Sequence, residues 1–191
     1  MNEKRKLMIQ WRMVVRILIW AGVLILGIGL WIFFRTPQFT MAQIIEAYED
    51  NDWELFERYV DLKDVSNSLV DQYLTALAAS GSRASLETAR GRKMQLVAAV
   101  QEQVREFVIT GRYKPDPETR MIFPDLKTLR NRFQGIDYIR SSGQLANIGL
   151  KASDGSGTII FKLRRKSWHW QVFAVDLADY FKKTIGENSP E

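Results

Sequence analysis

The chain opens with a hydrophobic run unlike anything that follows it. From Ile17 to Phe34, eighteen consecutive residues carry no charge, and twelve of them are Ile, Leu, Val or Phe. As a helix rising about 1.5 Å per residue, the run extends about 27 Å, close to the hydrocarbon thickness of a bilayer. Its aliphatic and phenylalanine side chains each favour insertion by roughly 0.3 to 0.6 kcal/mol. Trp11, Trp20 and Trp31 fall at or toward the two ends, as interfacial aromatics do, and the long side chain of Arg16 can reach the headgroups. The run has no G-x-x-x-G spacing and so gives no specific signal for helix pairing.

Thr36, Pro37 and Gln38 form a link with a reach of about 10 Å, and then the period becomes helical. Thr40 and Gln43 read as a capping box, with Phe39 and Ile44 at the staple positions and Ile44, Ile45 and Tyr48 as an apolar face. Asn51 or Asp52 caps a second helix from Trp53 to about Val60, with Trp53, Phe56 and Val60 inward. A third helix spans about Asp64 to Ala79, with Val65, Leu69, Tyr73 and Leu77 on one side, and Ser80-Gly81-Ser82 breaks it. A long fourth helix is predicted from Ser85 to Ile109, stopped by Gly111. Pro115 and Pro117 mark a loop, and Asp125 caps a short fifth helix through Phe133, ended by Gly135.

From Leu145 the period is two. Leu145 to Ala152 reads as a strand, followed by a turn at Asp154-Gly155-Ser156-Gly157. Ile159, Phe161 and Leu163 alternate with Ile160, Lys162 and Arg164. Trp168, Trp170, Val172 and Ala174 alternate with His169, Gln171, Phe173 and Val175, so two more strands meet at a tight turn near Lys166. Asp176 caps a last short helix through Lys183. Helices first and an antiparallel sheet afterwards define an α+β architecture, with helices burying one sheet face. The expected organisation is a basic tail over 1–16, a transmembrane anchor over 17–35, an α+β domain over 36–185 and a frayed tail over 186–191.

Charge changes this picture in two ways. Lys4, Arg5, Lys6, Arg12 and Arg16 precede the apolar run, whereas Arg35 alone follows it closely and the next charges are Glu46, Glu49 and Asp50. The positive-inside rule keeps the N-terminus in the cytoplasm and places the domain outside. A cleaved secretory signal is the rival, but its apolar core spans about 7–15 residues and ends in small residues, not in Trp31-Ile32-Phe33-Phe34-Arg35. The net charge of +5 also loses its nucleic-acid meaning once located: residues 36–191 hold 21 basic and 21 acidic residues. No nucleic-acid partner is expected. Absence of cysteine excludes disulfides, thiolate metal sites and cysteine nucleophiles.

Two stretches resemble known families. Thr36-Pro37-Gln38-Phe39-Thr40, Ala47, Asn51-Asp52-Trp53, Phe56 and Tyr59-Val60-Asp61-Leu62 resemble the opening motif of an uncharacterised bacterial family of membrane-anchored exported domains. Phe161-Lys162-Leu163 with Trp168-His169-Trp170-Gln171-Val172 is similar to the last hairpin of cystatin-like or nuclear-transport-factor-2-like folds. The first resemblance implies an exported domain without assigned activity. The second implies helices packed on a curved antiparallel sheet, a scaffold for binding modules and enzymes alike.

Candidate chemistry is sparse. His169 is the single histidine, and without a second histidine or a cysteine a transition-metal site would need carboxylates. Asp50, Asp52, Glu54 and Asp61 mimic a calcium loop, but Leu55 stands where that loop needs glycine, so they read as helix caps and a solvated face. No catalytic residue, cofactor or metal ligand is assigned. Phe161, Trp168, Trp170 and Phe173 are candidates for an apolar pocket or, more plainly, for core.

Residues 36–80 hold nine acidic and two basic residues, and residues 81–170 hold eight and seventeen. Arg90, Arg92, Lys93, Arg130, Arg132, Arg164, Arg165 and Lys166 are the candidates for contact with an anionic surface, against the plainer reading that acidic helices neutralise them. The leading expectation is a membrane-anchored exported binding or scaffold module without catalysis, whose partner is an envelope protein docking at a sheet edge. A small-ligand pocket or an enzyme built on it, and attachment to anionic lipid or cell-wall polymer, are the alternatives.

Overall fold

The computed structural model describes residues 3–81, 83–112, 119, 122, 133–152, 158–178 and 180–181. The loop at Pro115 and Pro117, the helix expected from Asp125, the turn at 154–157, Arg130, Arg132, the end of the last helix at Lys183 and the tail 186–191 lie outside the described residues. Among the described residues, six helices precede a four-stranded antiparallel sheet: α1 Glu3–Phe33, α2 Pro37–Glu49, α3 Trp53–Tyr59, α4 Leu62–Ala79, α5 Arg83–Gly91 and α6 Lys93–Thr110, then β1 Phe133–Ser142, β2 Leu145–Ala152, β3 Thr158–Lys166 and β4 His169–Asp176. The strands lie in chain order, so the sheet is a meander, and the architecture is α+β.

Within α1, the 20 residues Val14–Phe33 form a stretch long and apolar enough to cross a membrane, and none of it is buried against the rest of the protein. A core helix of this hydrophobicity would be covered by its neighbours.

Local chemistry sets the helix boundaries. α2 starts three residues before the expected Thr40: Thr36 is the N-cap, accepting from the Phe39 amide at 3.3 Å, and Pro37 takes the first turn, where its missing N–H is no loss. Gln43, expected to close a capping box, instead donates to Glu46. Asp52 caps α3 through the Leu55 amide (2.9 Å), and Asp61 caps α4 through the Asp64 amide (3.2 Å). The long fourth helix is two. Gly91 ends α5, and Arg92 (φ −106°, ψ 12°) leaves helical geometry before α6 begins. Glycine lowers helix stability by about 1 kcal/mol relative to alanine, which is enough to let packing turn the chain there. Gly111 at φ 64° closes α6 with a left-handed cap.

β1 has no counterpart in the sequence reading, which ends a helix near Phe133. Its register against β2 shifts between Phe133 and Ile136 and again between Ile136 and Tyr138, so the period-two signal is broken. A second irregularity falls in β4. Leu163 pairs with Val172 but Lys162 pairs with Ala174, leaving Phe173 as the extra residue of a bulge. Past the bulge the facing reverses, and Val175 packs on the core where Ala174 was expected. Core-facing residues of the sheet are Ile139, Ala146, Ile148, Leu150, Ile159, Phe161, Leu163, Trp170, Val172 and Val175, and α2, α3 and α4 pack against β4. On the opposite face Tyr138 lies over Gly149, so close that a Cβ there would run into the ring.

Leu163 is fully buried, at 0% exposure. Leu163→Ala is expected to lower unfolding free energy by roughly 2–5 kcal/mol through lost transfer energy plus the cavity left behind. Leu145→Ala, at an exposed position of the next strand, is the control and should change little. Denaturant unfolding of the detergent-solubilised protein, followed by circular dichroism, measures both.

Candidate functional site

The functionally informative geometry lies where α1 meets the sheet. The last turn of a helix leaves carbonyls without partners. Here the Phe34, Arg35 and Thr36 amides tighten back onto Leu30, Ile32 and Phe33, and Thr36 Oγ1 donates to the Phe33 carbonyl at 2.8 Å. The Arg35 carbonyl receives the indole N–H of Trp170 at 2.8 Å. One residue range therefore ends α1, starts α2 and binds the buried first turn of β4. Thr40, itself buried, donates from Oγ1 to the Trp170 carbonyl at 3.1 Å. Around this point the Arg35 guanidinium stacks 3.8 Å over Trp31, and Phe33, Phe34 and Phe39 form an edge-to-face cluster with centroids 5.0–6.1 Å apart. Such ring pairs add about 0.5–1.5 kcal/mol each beyond area burial.

The outer edge of β4 is closed by side chains and loop rather than by a fifth strand. Asp61 N–H donates to the Val172 carbonyl at 2.7 Å, beside a parallel bridge between Val60 and Val172. Gln72 donates to the Val175 carbonyl (2.7 Å) and accepts from the Leu177 amide (2.8 Å). β1 is the other edge of the sheet, and among the described residues no strand pairs with its outer side.

His169 stands partly buried at the start of β4, edge-on to Tyr59 at 5.6 Å and against Trp168 at 4.8 Å. Its Nδ1 is buried without a hydrogen-bond partner. Burial pulls its pKa below the ordinary imidazole value; a hydrogen bond to the Arg58 backbone opposes this, and the charges of Lys166 and Arg58 reinforce it. Among the described residues no carboxylate contributes to the shift of the ring. Among the described residues no three His, Asp or Glu side chains gather to hold a metal ion. Asp52 and Asp61, from the calcium-loop mimic, act as helix caps.

The four candidate pocket aromatics occupy different settings. Phe161 and Trp170 face the core. Trp168 does not continue β4; it sits in the two-residue turn with Ser167 and is 50% exposed. Phe173 is the bulge residue, with the Arg164 guanidinium 5.6 Å from its ring.

The basic candidates divide as well. Arg90, Arg92 and Lys93 share the α5–α6 corner, where Lys93 binds Asp71 of α4 at 2.6 Å and Arg92 Nε donates to Gln95. Arg164 bridges Asp61 and Asp64, the latter at 2.9 Å. Lys93 and Arg164 are thus engaged by the acidic segment. Arg165 and Lys166 are exposed at the end of β3, with Lys166 3.4 Å from Gln171 Oε1. The junction residues Arg35, Thr36 and Thr40 were absent from the sequence-derived candidates. A buried tryptophan signals that its N–H needs an acceptor, but not which one. No protein-family model, curated protein or solved structure matches this chain.

Trp170→Phe is expected to leave the Arg35 carbonyl unpaired and weaken the junction by about 1–3 kcal/mol. Hydrogen exchange in the full-length protein should rise over residues 34–40 and stay level in α6; a uniform rise would instead mean global destabilisation. The depressed His169 pKa also makes a signed expectation. A basic group that binds its proton more weakly when folded contributes stability above its unfolded pKa and loses it as pH falls. The midpoint of thermal unfolding should therefore drop between about pH 7.5 and pH 5, from the ordinary imidazole range downward. His169→Gln should drop less, and equal slopes for both proteins would show that other groups are responsible.

Proposed function

We propose that the chain is a single-pass membrane protein in which α1 spans the bilayer with its basic flank in the cytoplasm, and that the exported α+β domain is a non-catalytic binding or scaffold module. The observation that carries this reading is the junction: the Trp170 indole holds the Arg35 carbonyl, two residues past the end of the apolar stretch. A domain tethered by a flexible linker samples many orientations. One fastened through its own core presents a fixed surface at a fixed height, which suits docking more than diffusion-driven catalysis.

The partner in this reading is an envelope protein that adds along β1, the edge with which no strand among the described residues pairs. Edge strands offer main-chain hydrogen bonds to an incoming segment.

Two measurements test the proposal. Met94→Cys, in a chain without cysteine, is expected to react with a membrane-impermeant maleimide in intact cells; reaction only after lysis would reverse the orientation. Native mass spectrometry of the gently extracted protein is expected to show a distinct bound protein. Ile136→Lys, on the exposed β1 edge, should release that protein without shifting thermal unfolding. A bare monomer, or a partner indifferent to the substitution, would remove the docking reading.

A further inference from the structure

The partners of β4 change systematically along the strand. Trp170 is held by Arg35 and Thr40, Val172 by Asp61, and Val175 by Gln72. The strand thus leaves the end of α1 as it proceeds, with Trp170 its point of contact with Arg35 and His169 packed on Tyr59 of α3. Trp168 is two residues ahead, about 7 Å along an extended chain. The β1–β2 turn is at the same end: the Arg165 amide donates to the Gln144 carbonyl at 2.8 Å, and Leu145 pairs with Arg164.

What this end of the sheet displays is unusual for a solvated turn. Trp168 is 50% and Leu145 55% exposed. Two-residue hairpin turns favour Gly, Asn and Asp, and Ser167 already supplies the positive φ of 56°. Nothing in turn geometry asks for tryptophan. Arg165 and Lys166 flank it, and neither 140–147 nor 163–171 contains an acidic residue. Exposed aromatic and aliphatic tips beside basic residues are the composition of a membrane-interface contact.

We propose that this end of the sheet rests on the surface of the bilayer that α1 crosses, with Trp168 and Leu145 in the headgroup layer and Arg35, Arg165 and Lys166 against lipid phosphates. The inference rests on the reading of α1 as membrane-spanning. Charge complementarity and the bonded distance to Arg35 select lipid of the same membrane as the occupant. The domain is then fastened to the bilayer at two points, the α1 junction and the hairpin tips.

The test uses the full-length protein reconstituted in vesicles of phosphatidylcholine with phosphatidylglycerol. Nitroxide labels are placed at single cysteines replacing Ser167, Leu145, Leu24 and Met94. Met94 is 77% exposed and neighbours Lys93, which binds Asp71 beside Gln72 at the far end of β4, so it reports the aqueous value. The ratio of collisions with oxygen to collisions with a soluble nickel chelate is expected to be several-fold higher at Leu145 and Ser167 than at Met94, and highest at Leu24. Trp168→Ser in the Ser167→Cys chain, and Arg165→Gln with Lys166→Gln, should bring the tip labels toward the Met94 value. If Leu145 and Ser167 match Met94 while Leu24 reports hydrocarbon, the anchor stands and the surface contact is wrong. An aqueous Leu24 overturns both. Tips that are aqueous in vesicles but shielded in native membranes would assign them to a protein instead and overturn the lipid contact.

Discussion

The outer edge of β4 is where the helical half and the sheet half of this chain become one structure. A terminal strand carries backbone groups that need partners, and a buried one left unpaired costs about 1–3 kcal/mol. Here the partners come from α2, from the turn before α4 and from the middle of α4. Gln72 acts much as a strand residue would, giving an N–H to Val175 and a carbonyl to Leu177. The positions of α2 and α4 are thereby set by hydrogen-bond geometry as well as by packing. The bulge at Phe173 belongs to the same arrangement, because it reverses the facing of β4 and brings Val175 onto the core beside α4.

Elements whose signals are local were legible in the sequence. Asp52 before Trp53, Gly111 after α6 and the unbroken alternation of 159–164 each act through immediate neighbours, and the structure has them as expected. Elements decided by distant contacts were not. β1 hides behind two register shifts, and the α5–α6 break at Gly91 depends on how α6 turns back toward α4. Thr40 shows the ambiguity most plainly. Followed by Gln43, it has every local mark of a helix cap, yet Thr36 with Pro37 starts the helix earlier and frees Thr40 to bind the Trp170 carbonyl 130 residues away. The junction was invisible for the same reason, since its central bond joins residues 135 apart in the chain.

The charge asymmetry resolves in a similar way. The acidic excess before residue 81 and the basic excess after it meet at Lys93–Asp71 and at Arg164 with Asp61 and Asp64. These pairs are partly solvated and contribute little each, up to about 1 kcal/mol. Their effect is selective rather than stabilising. They use Lys93 and Arg164 inside the fold, which takes two of the six described basic candidates away from any shared patch. Arg165 and Lys166, the next two residues of β3, lie on the tip side of Arg164.

Orientation follows from these bonds together. Thr36 caps the end of one helix and the start of the next with a single hydroxyl, which leaves no free residue between them to act as a swivel. The carbonyl beside it is held by a tryptophan whose ring lies in the core. Any tilt of α1 relative to the sheet would have to break that bond, disturb the Phe33–Phe34–Phe39 cluster or move Trp170 within a close-packed interior, and interiors yield little. If α1 crosses a bilayer, its tilt and the attitude of the sheet are therefore one variable. Core packing, and not linker length, then decides which end of the sheet faces the lipid.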